Sequence, residues 1–206
     1  MSGFFITFEG GEGAGKTTQI RRLAERLSSS GWRVTLTREP GGCPSAEAIR
    51  DVVKSAPMDA VSETLLFNAA RIENLNQTIR PALKRGDVVL CDRFMDSTRA
   101  YQMVGAGVPV EVIDTLERWS VGPTRPDLTI VFDLEPEQGL KRAQLRAALD
   151  QFEQRGIEYH KRLRTAFLAI AKAEPARCVV VDAAGDEDDV ALAIWAAVSP
   201  RLTVKA

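Results

Sequence analysis

Residues 10–17 read Gly-Gly-Glu-Gly-Ala-Gly-Lys-Thr and fit G-x-x-x-x-G-K-[ST], the pattern of a phosphate-binding loop. The flanks constrain the fold as much as the motif does. Phe4-Phe5-Ile6-Thr7-Phe8 is a short apolar, aromatic-rich run suited to a buried strand, and only Glu9 separates it from Gly10. From Gly15 onward, Ile20, Leu23, Ala24 and Leu27 recur on one helical face. In a strand–turn–helix of this kind, glycines let backbone N–H groups turn inward around a polyphosphate. The helix N-terminus adds partial positive charge. Gly10, Gly11, Glu12, Gly13, Ala14, Gly15, Lys16, Thr17 and Thr18 are therefore the expected nucleoside triphosphate site. Lys16 is expected to reach the β- and γ-phosphates and the Thr17 hydroxyl to bind Mg²⁺. The duller reading is a glycine turn that only joins strand to helix.

Four more apolar runs alternate with helix-like segments. They are Trp32-Arg33-Val34-Thr35-Leu36-Thr37, Asp87-Val88-Val89-Leu90-Cys91, Leu128-Thr129-Ile130-Val131-Phe132 and Arg177-Cys178-Val179-Val180-Val181. Their connections are long enough for helices, which predicts parallel strands, right-handed crossovers and helices on both faces. Residues 61–84 and 151–173 read as long helices, stopped near Gly86 and before Pro175. The 206 residues show no repeat, low-complexity tract or linker, so one α/β domain over 1–206 is expected. A formal net charge of −1 gives no support for nucleic-acid binding. No apolar stretch suits a membrane span, and the direct start into the first strand leads to the expectation of no leader and a cytoplasmic location. Cys43, Cys91 and Cys178 lack C-x-x-C spacing, and Cys91 and Cys178, in or beside apolar runs, read as buried thiols.

Ligands of such sheets lie at the carboxyl ends of the strands. Asp92 and Asp133 each follow an apolar run and could either support Mg²⁺ or cap a helix. Asp92, beside Arg93, reads as a metal-site residue with Thr17. Asp133, ahead of Leu134-Glu135-Pro136, reads as a cap. An Asn-Lys-x-Asp guanine motif is absent, and Leu90-Cys91-Asp92-Arg93 is not the acidic run followed by Glu of a transporter or helicase.

Several segments carry a family resemblance. The loop with Glu12, Thr37-Arg38-Glu39-Pro40-Gly41-Gly42, Leu66-Phe67-Asn68-Ala69-Ala70-Arg71, Asp92-Arg93 with Ser97 and Ala100-Tyr101-Gln102, and Arg125-Pro126-Asp127-Leu128-Thr129 together resemble bacterial thymidylate kinases. The resemblance implies a P-loop kinase fold, a five-stranded parallel sheet with helices on both faces and a short lid at about 141–155. It implies transfer of the γ-phosphoryl of ATP to dTMP, giving dTDP, with Mg²⁺ and in a homodimer built on the long helices. The alternative is another small-molecule or nucleoside monophosphate kinase on the same fold.

Carried over by position, Phe67 would stack on thymine, and Arg71 and Gln102 would hydrogen-bond the base edge with Ser97 close by. Tyr101 would pack where a ribose 2′-OH would project. Arg93 and Arg50 would clamp the dTMP phosphate, and Glu39 and Glu12 would face the reacting region. The catalytic set implied is Lys16, Arg93, Glu12 and a lid cation. In the lid this chain departs from the common Leu-Asp-Arg-x-Glu run: Leu149-Asp150-Gln151-Phe152-Glu153 puts Gln151 where the arginine is expected. Arg146 is the proposed substitute and Arg155 the alternative, among Lys141, Arg142 and these two. His160 is the single histidine, which makes no metal site by itself.

Overall fold

The computed structural model describes residues 3–145 and 155–204. Five parallel strands, β1 (Phe4–Gly10), β2 (Val34–Arg38), β3 (Val88–Asp92), β4 (Leu128–Asp133) and β5 (Cys178–Asp182), form one sheet in the order β2-β3-β1-β4-β5. All five runs expected from the sequence are strands, and β2 to β5 each end one residue later than the apolar run. Arg38 pairs with Asp92 and Asp133 with Asp182, so the ladder continues through the first polar residue. Hydrophobicity marks where a strand is buried, whereas pairing extends as far as the backbones stay in register. β2 starts at Val34 rather than Trp32 because its partner β3 starts at Val88.

The described helices are α1 (Lys16–Ser29), α2 (Pro44–Ser55), α3 (Ala60–Asn74), α4 (Arg80–Lys84), α5 (Met95–Thr98), α6 (Val110–Ser120), α7 (Pro136–Gln144), α8 (Ile157–Ala173) and α9 (Glu187–Val204). The long helix expected over 61–84 is α3 and α4 joined by a π-helical turn, Leu75–Ile79. Pro81 follows that turn and cannot donate a backbone hydrogen bond, so a wider turn just before it removes the clash a tight one would make. A second π-helical turn, Arg99–Gly105, follows α5. The helix expected over 151–173 is described from Ile157, and residues 151–154 lie outside the described residues.

Alternation along β1 divides the core. Phe4, Ile6 and Phe8 face α1 and α9, where Ile20, Leu23, Leu27, Ile194 and Val198 close over them. Each such fully buried side chain contributes ~1.5–3 kcal/mol. On the other face Phe5 packs with Leu75, Ile79 and Phe94, its ring 5.1 Å edge-on from that of Phe94. Beyond Phe5 this face turns polar, with Thr7 and Glu9 both fully buried. Thr7 Oγ1 meets Thr129 Oγ1 at 2.7 Å, and Arg177 donates to Thr129 and to both carboxylate oxygens of buried Asp96 at 2.7 and 2.8 Å. The chain leaves β1 first toward β2 and β3, then returns to build β4 and β5 on the other side. That reversal puts the carboxyl end of β1 at a crevice.

Removing Arg177 would strand the Asp96 charge in the core. Arg177→Leu should lower stability by about 3–5 kcal/mol, read as a lower denaturant midpoint at unchanged slope. Adding Asp96→Asn should recover a large part of that loss. A midpoint for Arg177→Leu equal to the parent's would show that the pair carries no such weight.

Candidate active site

Three glycines shape the loop after β1. Gly10, Gly13 and Gly15 have φ of 135°, 66° and 84°, a region that side chains disfavour. Gly13 also lies against α7: a Cβ there would sit 1.9 Å from the Gly139 carbonyl oxygen, and one on Gly139 would sit 2.3 Å from that of Glu12. The loop backbone is thus braced by bare backbone on α7. Lys16 spans the loop, its ammonium donating to the carbonyls of Gly10 and Gly11 at 3.1 and 2.8 Å. Burial, with Arg93 nearby, lowers Lys16 to about 8, against the opposing pull of Glu12, Asp92 and Glu9. Thr17 and Thr18 open α1 at the exposed mouth.

Thr17 Oγ1 donates to Asp92 Oδ2 at 3.1 Å. A hydroxyl and a carboxylate meeting beside the phosphate loop are hard oxygen donors, the ligand type that Mg²⁺ takes. The residues therefore fit that ion. Asp133 behaves differently from the sequence reading. It is no helix cap; α7 starts after Glu135 without a side-chain cap, and Asp133 accepts from Arg164 Nε and Nη2 at 2.6 and 3.2 Å.

Next to the loop lies a cleft of about 200 Å³. Glu12, Glu39, Arg50, Phe67, Arg71, Arg93, Ser97, Tyr101 and Gln102, drawn together from the sequence, all line it. Phe94, Thr98, Pro40 and Val53 line it too, and sequence reasoning did not single them out. Glu63, Phe67 and Arg71 follow at four-residue spacing on one face of α3. Arg71 is buried and anchored: Nε donates to Glu39 at 2.7 Å, Nη1 to Asn68 at 3.4 Å, and Nη2 to the Phe94 carbonyl and Thr98 at 3.1 and 2.9 Å. A guanidinium has five N–H groups, so one remains for the cleft. Burial raises Glu39, with Arg71 opposing. Its sequence assignment to the reacting region is refined by this contact, since Glu39 holds Arg71. Arg50 Nη1 donates to the Pro40 carbonyl at 2.8 Å.

Arg93 stands where cleft and loop meet. Its φ of 66° is the positive value of a non-glycine residue, and the turn swings its side chain back over β1. Nη2 donates to Glu12 Oε1 at 2.8 Å, and Nη1 to the Gly10 carbonyl and Ser97 at 3.1 and 3.3 Å. Its guanidinium lies 4.9 Å from the Tyr101 ring, and the Tyr101 hydroxyl also donates to Glu12. Burial alone would raise Glu12, but Arg93, Lys16 and Tyr101 together hold it at about 2.

Glu9 holds this turn from below, and sequence reasoning missed it. It accepts from the Phe94 backbone N–H at 2.8 Å and from the Ser97 hydroxyl at 2.6 Å. Burial, and then Asp96, push Glu9 up to about 8. The signal available in the sequence was a carboxylate in a strand position otherwise filled by apolar residues. Of the lid candidates, Arg146 and Gln151 lie outside the described residues. Arg155 lies over the Tyr159 ring at 4.6 Å, Lys141 is exposed, and Arg142 donates to the carbonyls of Ala183 and Ala184. All three cysteines are buried and free. Among the described residues no helix is long and apolar enough to cross a membrane.

This chain is similar to known proteins over nearly its whole length. The sequence model of the thymidylate kinase family matches residues 8–194. A thymidylate kinase of Caulobacter vibrioides is 53% identical over 203 residues, covering 97% of this chain and 98% of that one. One from a Bradyrhizobium strain is 52% identical over 206 residues, covering 97% and 91%. Among solved structures, thymidylate kinase from Ehrlichia chaffeensis superposes with a TM-score of 0.79 at 36% identity, covering 97% of this chain and 99% of that one.

The raised Glu9 carboxyl fixes a sign for pH. Unfolded, it loses its proton near 4.5; folded, it keeps it to about 8. Its contribution to stability is therefore complete below the unfolded value and lost as pH rises through the folded one. Glu9→Gln keeps an acceptor for Phe94 and a donor for Ser97. The variant should show a smaller fall in Tm than the parent between about pH 5 and pH 9, and parallel curves would contradict the assignment.

Proposed function

The chain belongs to the thymidylate kinase family, and from that premise we propose that dTMP occupies the cleft while ATP lies along the loop of residues 10–18. The enzyme is an ATP:dTMP phosphotransferase that makes dTDP. The observation that carries the siting is the Arg93–Glu12 pair, which joins the cleft to the phosphate loop and so brings an acceptor phosphate beside a donor one. An oxygen of the dTMP phosphate forms the new bond to the γ-phosphorus as the bond to the β–γ bridging oxygen breaks. That attacking oxygen is already anionic, so positioning and charge stabilisation do most of the work.

Within this reading each side chain has a task set by its chemistry. Phe67 offers a flat apolar face to thymine, and the uncommitted N–H of Arg71 meets O4. Gln102 faces N3, with Ser97 nearby. Arg93 and Arg50 hold the dTMP phosphate, since a planar fork matches its oxygens. Tyr101, tied to Glu12, closes the place a 2′-OH would need. Glu12 lies toward the sugar 3′-OH and Glu39 keeps Arg71 aimed. Lys16 and the loop N–H groups hold the ATP phosphates, and Thr17 with Asp92 would hold Mg²⁺, which neutralises phosphate charge when bound. Arg146 is the proposed lid cation in place of the arginine that Gln151 replaces, with Arg155 as the alternative.

One domain spans 1–206 in this reading, and the enzyme works in the cytoplasm as a homodimer. Support for the dimer comes from Val61, Leu65 and Ile72, which share the α3 face opposite Glu63, Phe67 and Arg71 and are 38%, 50% and 37% exposed. Leu65→Glu should shift the sedimenting species from dimer to monomer at micromolar concentration. A parent protein that sediments as a monomer would remove the proposal.

A coupled assay across acceptors tests the function, with dTMP expected to outperform AMP, GMP and non-nucleotide acceptors. A better non-thymidine acceptor would point to the alternative small-molecule kinase. In the same assay Arg93→Lys should cost roughly tenfold or more in kcat/KM for dTMP, from loss of about 1.5–3 kcal/mol in a charge-assisted bond. Arg146→Ala should lower kcat far more than it raises the KM for ATP. An unchanged KM for dTMP in Arg93→Lys would put Arg93 outside the site.

A further inference from the structure

Glu63 sits in the first turn of α3, one turn before Phe67 and on the same face. It is buried, and so is Gln102 across the cleft on the π-helical turn. Gln102 Nε2 donates to Glu63 Oε1 at 2.9 Å. An ionised carboxylate can only accept a hydrogen bond, so the limb of the Gln102 amide that faces it must be the NH₂. The other limb, Oε1, is then what Gln102 presents to the cleft it lines. The Gln102 backbone is fixed as well, its carbonyl accepting from Val108 N–H at 2.9 Å. Turning the amide over would place two acceptors face to face, Gln102 Oε1 against Glu63 Oε1, and leave both without a donor.

The polarity of one atom in the cleft thus depends on a residue behind it. We infer that Glu63 is a specificity-setting positioning residue: by holding Nε2 of Gln102 it makes the cleft offer an acceptor, and so selects bases that carry an imide N3–H over cytosine. The inference rests on the reading above that the cleft binds the acceptor nucleotide with its base between Phe67, Arg71 and Gln102. Thymine and uracil both present N3–H between two carbonyls. Cytosine presents a bare N3, which would face Oε1 lone pair to lone pair, and an N4 amine, which would face the Arg71 donor. Two mismatches follow from two fixed polarities, and Glu63 fixes one of them.

Glu63→Gln removes the constraint, because a glutamine can donate as well as accept. Gln102 can then turn its NH₂ into the cleft. The expected result is a fall of roughly tenfold or more in the dTMP-to-dCMP ratio of kcat/KM, with the dTMP-to-dUMP ratio unchanged. Thymine and uracil differ only at the C5 methyl, which Gln102 does not read. A general loosening of the fold would lower activity on all three nucleotides without this split. The exchanged double variant, Glu63→Gln with Gln102→Glu, again turns an acceptor into the cleft while keeping the net charge, and should restore preference for dTMP over dCMP. It also serves if the single variant fails to fold. An unchanged dTMP-to-dCMP ratio in folded Glu63→Gln, or no recovery in the double variant, overturns the role of Glu63 while leaving the kinase reading intact. A parent enzyme with no activity on dTMP would instead overturn the kinase reading itself.

Discussion

Arg93 and Glu12 form the contact on which the rest of the site depends. Each is only 19% exposed, and each charge draws much of its compensation from the other. The pair reaches from the turn after β3 to the loop after β1, two segments 81 residues apart in the chain that end at the same edge of the sheet. Parallel pairing puts Phe8 opposite Asp92, and β1 runs two residues further to Gly10, so Arg93 leaves β3 beside the last residues of β1. The geometry of transfer is then a consequence of register. A shift of one residue in the β1–β3 ladder would carry Arg93 away from Glu12 and turn its side chain to the opposite face.

Holding that register falls to a polar layer beneath the site rather than to the apolar core. On the face of β1 that runs toward the cleft, Phe5 is followed by Thr7 and Glu9, and each polar group is met by a specific partner. Apolar contacts are non-directional and tolerate sliding, whereas an unmet buried donor or acceptor costs about 1–3 kcal/mol. Through Thr129, Arg177 and Asp96 the same layer ties β4, the segment before β5 and α5 to β1. The hydrophobic face against α1 and α9 supplies bulk stability; this face supplies alignment.

What was legible in the sequence follows the range of the interactions. The loop could be read because its demands are local: glycines at the positive φ values, then Lys16 and Thr17 at the helix start. Phe67 and Arg71 were readable as neighbours from their four-residue spacing, and Arg93 from its place after an apolar run. Residues whose partners lie far along the chain were not. Asp133 looked like a cap because its partner Arg164 is 31 residues on. Glu9 went unread because the groups it satisfies are 85 and 88 residues away. Gly139 is just a glycine in a helix until Gly13 is seen against it. The helix over 61–84 was visible as a pattern, but the π-helical turn inside it reflects a backbone adjustment ahead of Pro81 that apolar periodicity does not encode.

Around the cleft the carboxylates share one arrangement. Glu12 accepts from Arg93, Glu39 from Arg71, Glu63 from Gln102 and Glu9 from Ser97, and each of those four donors lines the cleft. Four acids around a pocket that must admit a phosphate monoester look electrostatically perverse. Three of them are offset once their charges are counted with their surroundings. Glu12 and Glu39 are each matched by an arginine, and Glu9 carries its proton to about pH 8, so it adds little negative charge at neutral pH. What remains is their other property, that of fixing which atom of a neighbour points inward. A guanidinium tethered at Nε or Nη, or an amide tethered at Nε2, loses the rotational freedom it would otherwise give up when a ligand binds. The outer ring of acids therefore sets the directions, and the inner ring of donors and acceptors does the reading.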